Sequence, residues 1–274
     1  MNKADMYFKK AIETIINEGV EETGDVRPVW HDGTPARTKY ITQWFETYDL
    51  DKGEFPIVTI KPTAFKTSIR EIIWIYNWQS NNLEDAHKLG ITWWDEFESK
   101  DMPGTIGARY GYVIKKYNQI DNLIKSLKET PMSRRHYMNM NQFDCLNETD
   151  GLWSCAFEVT CSVRGEFLDL HLHQRSNDVA LAYGVNICQY ACLQMMLAHT
   201  VGLKPGKFSR YVDNLHIYSR HIEGCKEFLK REPQETSPII LFNPSHNNFK
   251  DYIVDDFQLI NYNPQPNIKM EIAL

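Results

Sequence analysis

The chain has 274 residues, with 30 basic against 36 acidic side chains and a formal net charge of −6. That balance argues against a broad nucleic-acid-binding surface but leaves room for a small arginine cluster. Apolar residues make up 42%, including 7 Trp, 14 Tyr and 13 Phe, which is enough for a sizeable core.

The charged start, MNKADMYFKKAIETII, contains no signal-peptide core, and no apolar run approaches the roughly 18 residues of a membrane span. A cytoplasmic protein is therefore expected. With no Pro/Gly/Ser-rich linker, repeat or low-complexity tract, residues 1–274 are expected to form one domain. The cysteines stand at 145, 155, 161, 188, 192 and 225 without a CxxC pair, so reduced thiols are expected. Cys188 and Cys192, four apart in an apolar helical run, read as core packing.

Apolar spacing at Ala11, Ile12, Ile15 and Ile16 predicts an amphipathic helix stopped by Gly19. Residues 20–37 form a polar segment containing Arg27 before a proline. ITQWF (41–45) and PIVTI (56–60) read as strands, and Thr67 as the cap of the helix SIREIIWIYNW. That helix is apolar on nearly every face and should be buried. Glu71 within it therefore needs a partner, a proton or a function, a salt bridge near Arg70 or to Lys66 being the plain alternative.

ITWWDEF (91–97) places aromatics around a carboxylate, and GTIGARYGY (104–112) leads to Tyr110 without matching a phosphate-binding loop. NQIDNLIKSLKET is a second amphipathic helix, with Ile120, Leu123, Ile124 and Leu127 on one side. After it, Ser133-Arg134-Arg135 precedes a strand-like HYMNMN; paired guanidinium forks at such a boundary suit phosphate.

Residues 155–163 and FLDLHLH form a hairpin around VRGE, opening with Cys155, a candidate nucleophile. His171 and His173 share a face; a metal site would need a third ligand nearby, and a packed or polar strand face is the reading. QRSND (174–178) reads as a polar loop suited to an anionic, hydrogen-bonding ligand. NICQYACLQMMLAHTVG is a long central helix ended by Gly202 and Pro205-Gly206. FSRYVDNLHIYSRH is a strand with His216 and Tyr218 on one face; a helix at 220–231 and the strand PIILF follow. The apolar last residues suggest a docked end.

Taken together, the Cys155 strand, QRSND, Asn186 in VNICQY, HIYSRH, IREIIWIYNWQSNN, GITWWDEF, RYG, SRR and DDFQLINYNPQPNIKMEIAL resemble the thymidylate synthase family, in order and over nearly the whole chain. The resemblance implies an α+β fold: a large mixed sheet flanked by helices, one sheet face forming a homodimer interface. It implies reductive methylation of deoxyuridylate (dUMP) with methylenetetrahydrofolate as carbon and hydride donor.

Residue by residue, Cys155 matches the nucleophile, and its thiol is expected to have a depressed pKa from nearby arginines. Glu71 matches the carboxylate that organises waters, and Tyr110 the tyrosine near proton abstraction. Arg175, Ser176 and Arg27 match phosphate ligands, with Arg37 the alternative to Arg27. Arg134 and Arg135 match arginines that cross from the second subunit. Asn186 matches the amide that reads uracil; His216 and Tyr218 match the pair that holds the sugar hydroxyl. Asp178, Trp94 and Lys61 match folate contacts, and Leu274 ends a segment that closes over ligands.

The chain departs from the family pattern at Trp153-Ser154 before the cysteine, at Ala156 after it, at Ala182 in place of a glycine, and at Asn214 in place of an aspartate. These departures keep a folate-dependent hydroxymethylase as the alternative. A catalytically inactive nucleotide-binding member is a further alternative, disfavoured by the intact set of Cys155, Glu71 and Asn186.

Overall fold

A computed structural model describes residues 2–273, so the expectation for Leu274 lies outside the described residues. The first helix, α1 (Lys3–Glu18), is capped by Asn2, whose side chain accepts from Asp5 N. It buries Phe8, Ala11, Ile12 and Ile15 as its spacing dictates. Strands β1 (Val20–Glu21) and β2 (Thr38–Asp49) follow, the first antiparallel to the second.

The expected strand at 56–60 does not form. That segment is buried, and its backbone is satisfied by side chains rather than by a ladder. The Asp5 carboxylate accepts from Thr59 N (2.7 Å) and Ile60 N (3.2 Å), Tyr262 Oη donates to Val58 O, and Asn2 Nδ2 donates to Ile57 O.

Next comes α2 (Phe65–Ile72), which starts at Ala64 without a side-chain cap rather than at Thr67. It runs into a π-helical turn (Ile73–Asn77). A wider turn of this kind is frequent beside functional sites, and this one follows Glu71 directly.

The middle of the chain comprises α3 (Leu83–Lys88), α4 (Gly111–Lys116), α5 (Gln119–Glu129), β3 (Tyr137–Asn139) and α6 (Phe143–Glu148). The hairpin forms as expected, β4 (Ala156–Arg164) and β5 (Phe167–Asp178) being antiparallel. QRSND is not a loop, however: β5 continues through it, paired in parallel with β6 (Lys204–Tyr218) as far as Asp178 opposite His216.

The central helix α7 (Tyr183–Thr200) starts three residues before Asn186 and serves as the crossover between β5 and β6. Pro205-Gly206 therefore lie inside β6, after the turn at Gly202. α8 (Ile222–Lys230) and the separate two-stranded sheet of β7 (Ile239–Phe242) and β8 (Phe257–Ile260) complete the elements.

The main sheet has the order β1-β2-β6-β5-β4-β3, mixed because only β5 and β6 run parallel. Helices cover its inner face, and α7 is buried almost all round. Gln194 within α7 donates from Nε2 to Leu168 O and Lys207 O. On the same inner face the fully buried Glu46 and Arg210 pair across β2 and β6. Tyr48 and Tyr183 also donate to Glu46. The other face is more open: Phe45 is 54% exposed, His171 stacks on it, and His173 faces Asp213. His171 and His173 thus make polar sheet contacts, to Ser209 and Asp213. Among the described residues no helix is long and apolar enough to cross a membrane.

Candidate active site

The parallel pair β5 and β6 ends at one edge of the molecule, where α7 begins. Ligand-binding groups gather at such carboxyl ends because successive loops and a helix N-terminus converge there. A cavity of about 630 Å³ lies at this edge. Cys155, Glu71, Tyr110, Trp94, Arg27, Arg175, Ser176, Asp178, Asn186, His216 and Tyr218 all line it.

Cys155 is half-buried, immediately before β4. Its backbone N–H donates to Tyr110 Oη at 3.1 Å. Arg175 braces the segment, donating to Trp153 O at 2.7 Å and to Ser154 O at 3.3 Å. Its Nη2 also lies 3.5 Å from Cys155 Sγ. The thiol is nonetheless not depressed as expected. Burial pushes its pKa above the ordinary value, while Arg175 and Arg27 pull it back only in part. Desolvation of the sulfur outweighs the two guanidinium groups.

Glu71 has no cationic partner. Its Oε1 accepts from Trp94 Nε1 at 2.8 Å and its Oε2 from Gln189 Nε2 at 2.6 Å. Burial raises its pKa to about 7, against the lowering effect of these donors and of Trp93. It can therefore exchange a proton near neutrality. Tyr110, buried and packed edge-on to Trp94, keeps its proton because burial holds its pKa well above the ordinary value.

Asn186 sits in the first turn of α7, its Oδ1 accepting from Asn177 and Gln174 and its Nδ2 donating to Gln189. Asp178 is held by Ala180 N at 2.8 Å. His216 Nδ1 meets Asn214 Oδ1 at 2.9 Å, and its ring packs edge-on against Tyr218. Burial lowers the His216 pKa, favouring the neutral ring. Trp93, Trp94 and Phe97 give the cavity an aromatic wall able to stack on a flat ring, and Asp178 lines the same cavity. Ile272 and Ala273 line the cavity as well. The preceding Glu271 is fixed by Arg220 at 2.9 Å and by His221, so the end is docked as expected.

Four candidates are not brought to this cavity. Lys61 is buried, with its ammonium turned onto the carbonyls of Ala180 and Leu181, so it supports the 180–181 backbone instead of facing a ligand. Arg134 and Arg135 are exposed between α5 and β3, and Arg135 lines a different hollow with Thr130 and Met132. Arg37 is also away from the cavity, donating to Gly24 O. Conversely, sequence reasoning missed Gln174, Asn177 and Gln189. Gln189 stands three residues after Asn186, and that helical spacing was a usable signal.

A nucleophilic thiol, a carboxylate titrating near neutrality and guanidinium groups in one cavity define an enzyme site for covalent chemistry on an anionic, ring-bearing substrate. The family model described as thymidylate synthase matches residues 6–274. Proteins named thymidylate synthase from Streptococcus pneumoniae (strain ATCC BAA-334 / TIGR4) and Streptococcus sanguinis (strain SK36) are 44% and 43% identical, each alignment covering 100% of both chains. The solved structure of thermostable thymidylate synthase A from Bacillus subtilis superposes with a TM-score of 0.92 at 35% identity, covering 99% of each chain. The chain belongs to the thymidylate synthase family.

Proposed function

We propose that this chain converts dUMP to dTMP by reductive methylation, releasing dihydrofolate. The observation that carries this reading is the convergence of Cys155, Glu71, Asn186 and Arg175 on one cavity. Methylenetetrahydrofolate, when bound, supplies the one-carbon unit and the hydride.

The chain's own groups do the rest. Cys155 Sγ forms a bond to the sixth carbon of the uracil ring, sending an electron pair toward the ring oxygen and making the fifth carbon nucleophilic. Asn186 orients the ring. Arg175, Ser176 and Arg27 hold the phosphate, and His216 with Tyr218 holds the sugar hydroxyl. Tyr110 stands by the proton on the fifth carbon, and Glu71 passes protons near the ring oxygen. Expulsion of Cys155 Sγ then restores the ring double bond. Asp178 and Trp94 contact the folate, and Lys61 acts indirectly by fixing the 180–181 backbone.

Residues 1–274 work as one catalytic domain in the cytoplasm, in keeping with six unpaired cysteines. The working unit is a homodimer through the open sheet face around Phe45 and His171, with Arg134 and Arg135 given to the neighbouring site. Their exposure away from their own cavity supports this reading.

The test is incubation with dUMP and methylenetetrahydrofolate, with chromatography that resolves thymidylate from hydroxymethyldeoxyuridylate. Thymidylate with equimolar dihydrofolate is expected. Hydroxymethyldeoxyuridylate without dihydrofolate would overturn methylation.

A further inference from the structure

Three amides, the buried Gln174 and Gln189 and the half-buried Asn186, join two charged anchors. Arg210, fully buried and paired with Glu46, donates from Nη1 to Gln174 Oε1 at 3.1 Å. Gln174 Nε2 donates to Asn186 Oδ1 at 3.1 Å, and Asn186 Nδ2 to Gln189 Oε1 at 3.0 Å. Gln189 Nε2 then donates to Glu71 Oε2 at 2.6 Å.

A guanidinium only donates and an ionised carboxylate only accepts, so the two ends impose one direction on every amide between them. Turning over any one of them would set N–H against N–H, or oxygen against oxygen. Asn177 Nδ2, 2.8 Å from the same Asn186 oxygen, reinforces that direction. A hydrogen-bonded chain with all members satisfied is stiffer than its separate pairs.

We propose that Gln189 is a positioning residue that ties the base-reading amide of Asn186 to the Glu71 carboxylate and locks Asn186 in the orientation that accepts uracil and rejects cytosine. This rests on the reading of the site as a dUMP-methylating centre. Uracil presents a ring N–H and an adjacent carbonyl oxygen, to which an amide offers its oxygen and its NH2. Cytosine presents a bare ring nitrogen and an amino group, so Asn186 would have to turn over to pair with it. Gln174 opposes that turn at the oxygen, where the uracil N–H would take the place that Asn177 holds, and Gln189 opposes it at the nitrogen.

The same link runs the other way. A proton on Glu71 Oε2 would make it a donor facing a donor, and Gln189 would have to rotate. That rotation would press its NH2 against the NH2 of Asn186. Protonation of Glu71 and reading of the base are therefore coupled through one side chain. The titratable groups around Glu71 are Tyr76, Tyr110 and Tyr190, all buried with hydroxyl pKa values raised, so they remain neutral and leave the amide link to set its balance.

The experiment compares the wild-type enzyme with Gln189→Met, close in volume, and with Gln174→Met, which cuts the chain on the other side of Asn186. The readouts are kcat/KM for dUMP against pH, and the ratio of the dCMP inhibition constant to KM for dUMP. Gln189→Met is expected to raise the ionisation of Glu71 by about one pH unit, the usual worth of a hydrogen bond to a charged acceptor. It is also expected to lower the preference for dUMP over dCMP by about tenfold. Gln174→Met is expected to lower the preference and leave that ionisation in place.

A folded Gln189→Met enzyme with both readouts unchanged would overturn the proposal; should that variant fail to fold, Gln189→Leu carries the same comparison. Wild-type turnover of dUMP is measured first. Its absence would sink the assigned reaction, whereas normal turnover with unmoved variants would sink only the role of Gln189.

Discussion

Glu71 is predicted to lower the stability of the fold at the pH where it serves catalysis, and replacing it should make the protein more stable. It is 7% exposed, and burial raises its pKa from the ordinary 4.5 to about 7. The folded state thus binds the Glu71 proton more tightly than the unfolded chain does. Its favourable contribution is fully present below about pH 4.5 and is lost as pH rises through about 7. At 1.36 kcal/mol per pH unit the loss amounts to ~3 kcal/mol.

Glu71→Gln removes that loss but brings a cost of its own. The Trp94 and Gln189 donors can no longer both find an acceptor, because one side of the new amide is itself a donor, at about 1–2 kcal/mol. The net expectation is that Glu71→Gln is more stable than wild type by about 1–2 kcal/mol at pH 8. Near pH 4.5 it should be less stable by about 1 kcal/mol. Urea unfolding at fixed protein concentration across this range measures the difference directly. A difference that does not change with pH would refute the argument, because only titration of Glu71 in the folded state can produce the crossing.

Other consequences can be checked independently. Arg210→Met should lower stability by about 3–5 kcal/mol, because it leaves the fully buried Glu46 carboxylate without its cation; thermal unfolding with and without dUMP measures it, and a loss under 1 kcal/mol would contradict the assignment. Arg134→Ala and Cys155→Ser, each inactive alone, should recover about a quarter of wild-type activity when mixed in equal amounts, since random pairing makes half the dimers hybrids and each hybrid holds one intact site. No recovery, with hybrid dimers demonstrated by native mass spectrometry, would contradict the crossing of Arg134.

Much of the fold was legible because periodicity and turn chemistry agree with tertiary structure. The spacing of α1 and the VRGE hairpin are cases where the local pattern and the burial coincide. The failures share a cause in partners remote in sequence. PIVTI has strand composition, but Asp5 and Tyr262 claim its backbone groups before any neighbouring strand can. QRSND has loop composition, yet β6 supplies a parallel ladder that carries it to Asp178. In the site, the residue types named the chemistry but not the wiring. Glu71 was matched to cations five or fewer residues away, while its partners are Trp94 and Gln189, 23 and 118 positions along the chain. Lys61 looked like a ligand contact only because sequence does not reveal which way a side chain turns.

The thiol at Cys155 shows how the pieces depend on each other. In the single chain, desolvation dominates and favours the neutral thiol, so the nucleophile is held back by the same burial that raises the Glu71 pKa. Positive charge is the available remedy, and Arg175 already stands 3.5 Å from the sulfur. Under the proposed dimer, Arg134 and Arg135 would add two more guanidinium groups to the phosphate end of the same cavity. Bound phosphate would offset some of that charge, leaving the close contact of Arg175 as the main force on the sulfur. The partner's arginines would then serve to balance the phosphate, so that Arg175, 3.5 Å from the sulfur, keeps its full pull toward the thiolate against burial when the nucleotide is in place.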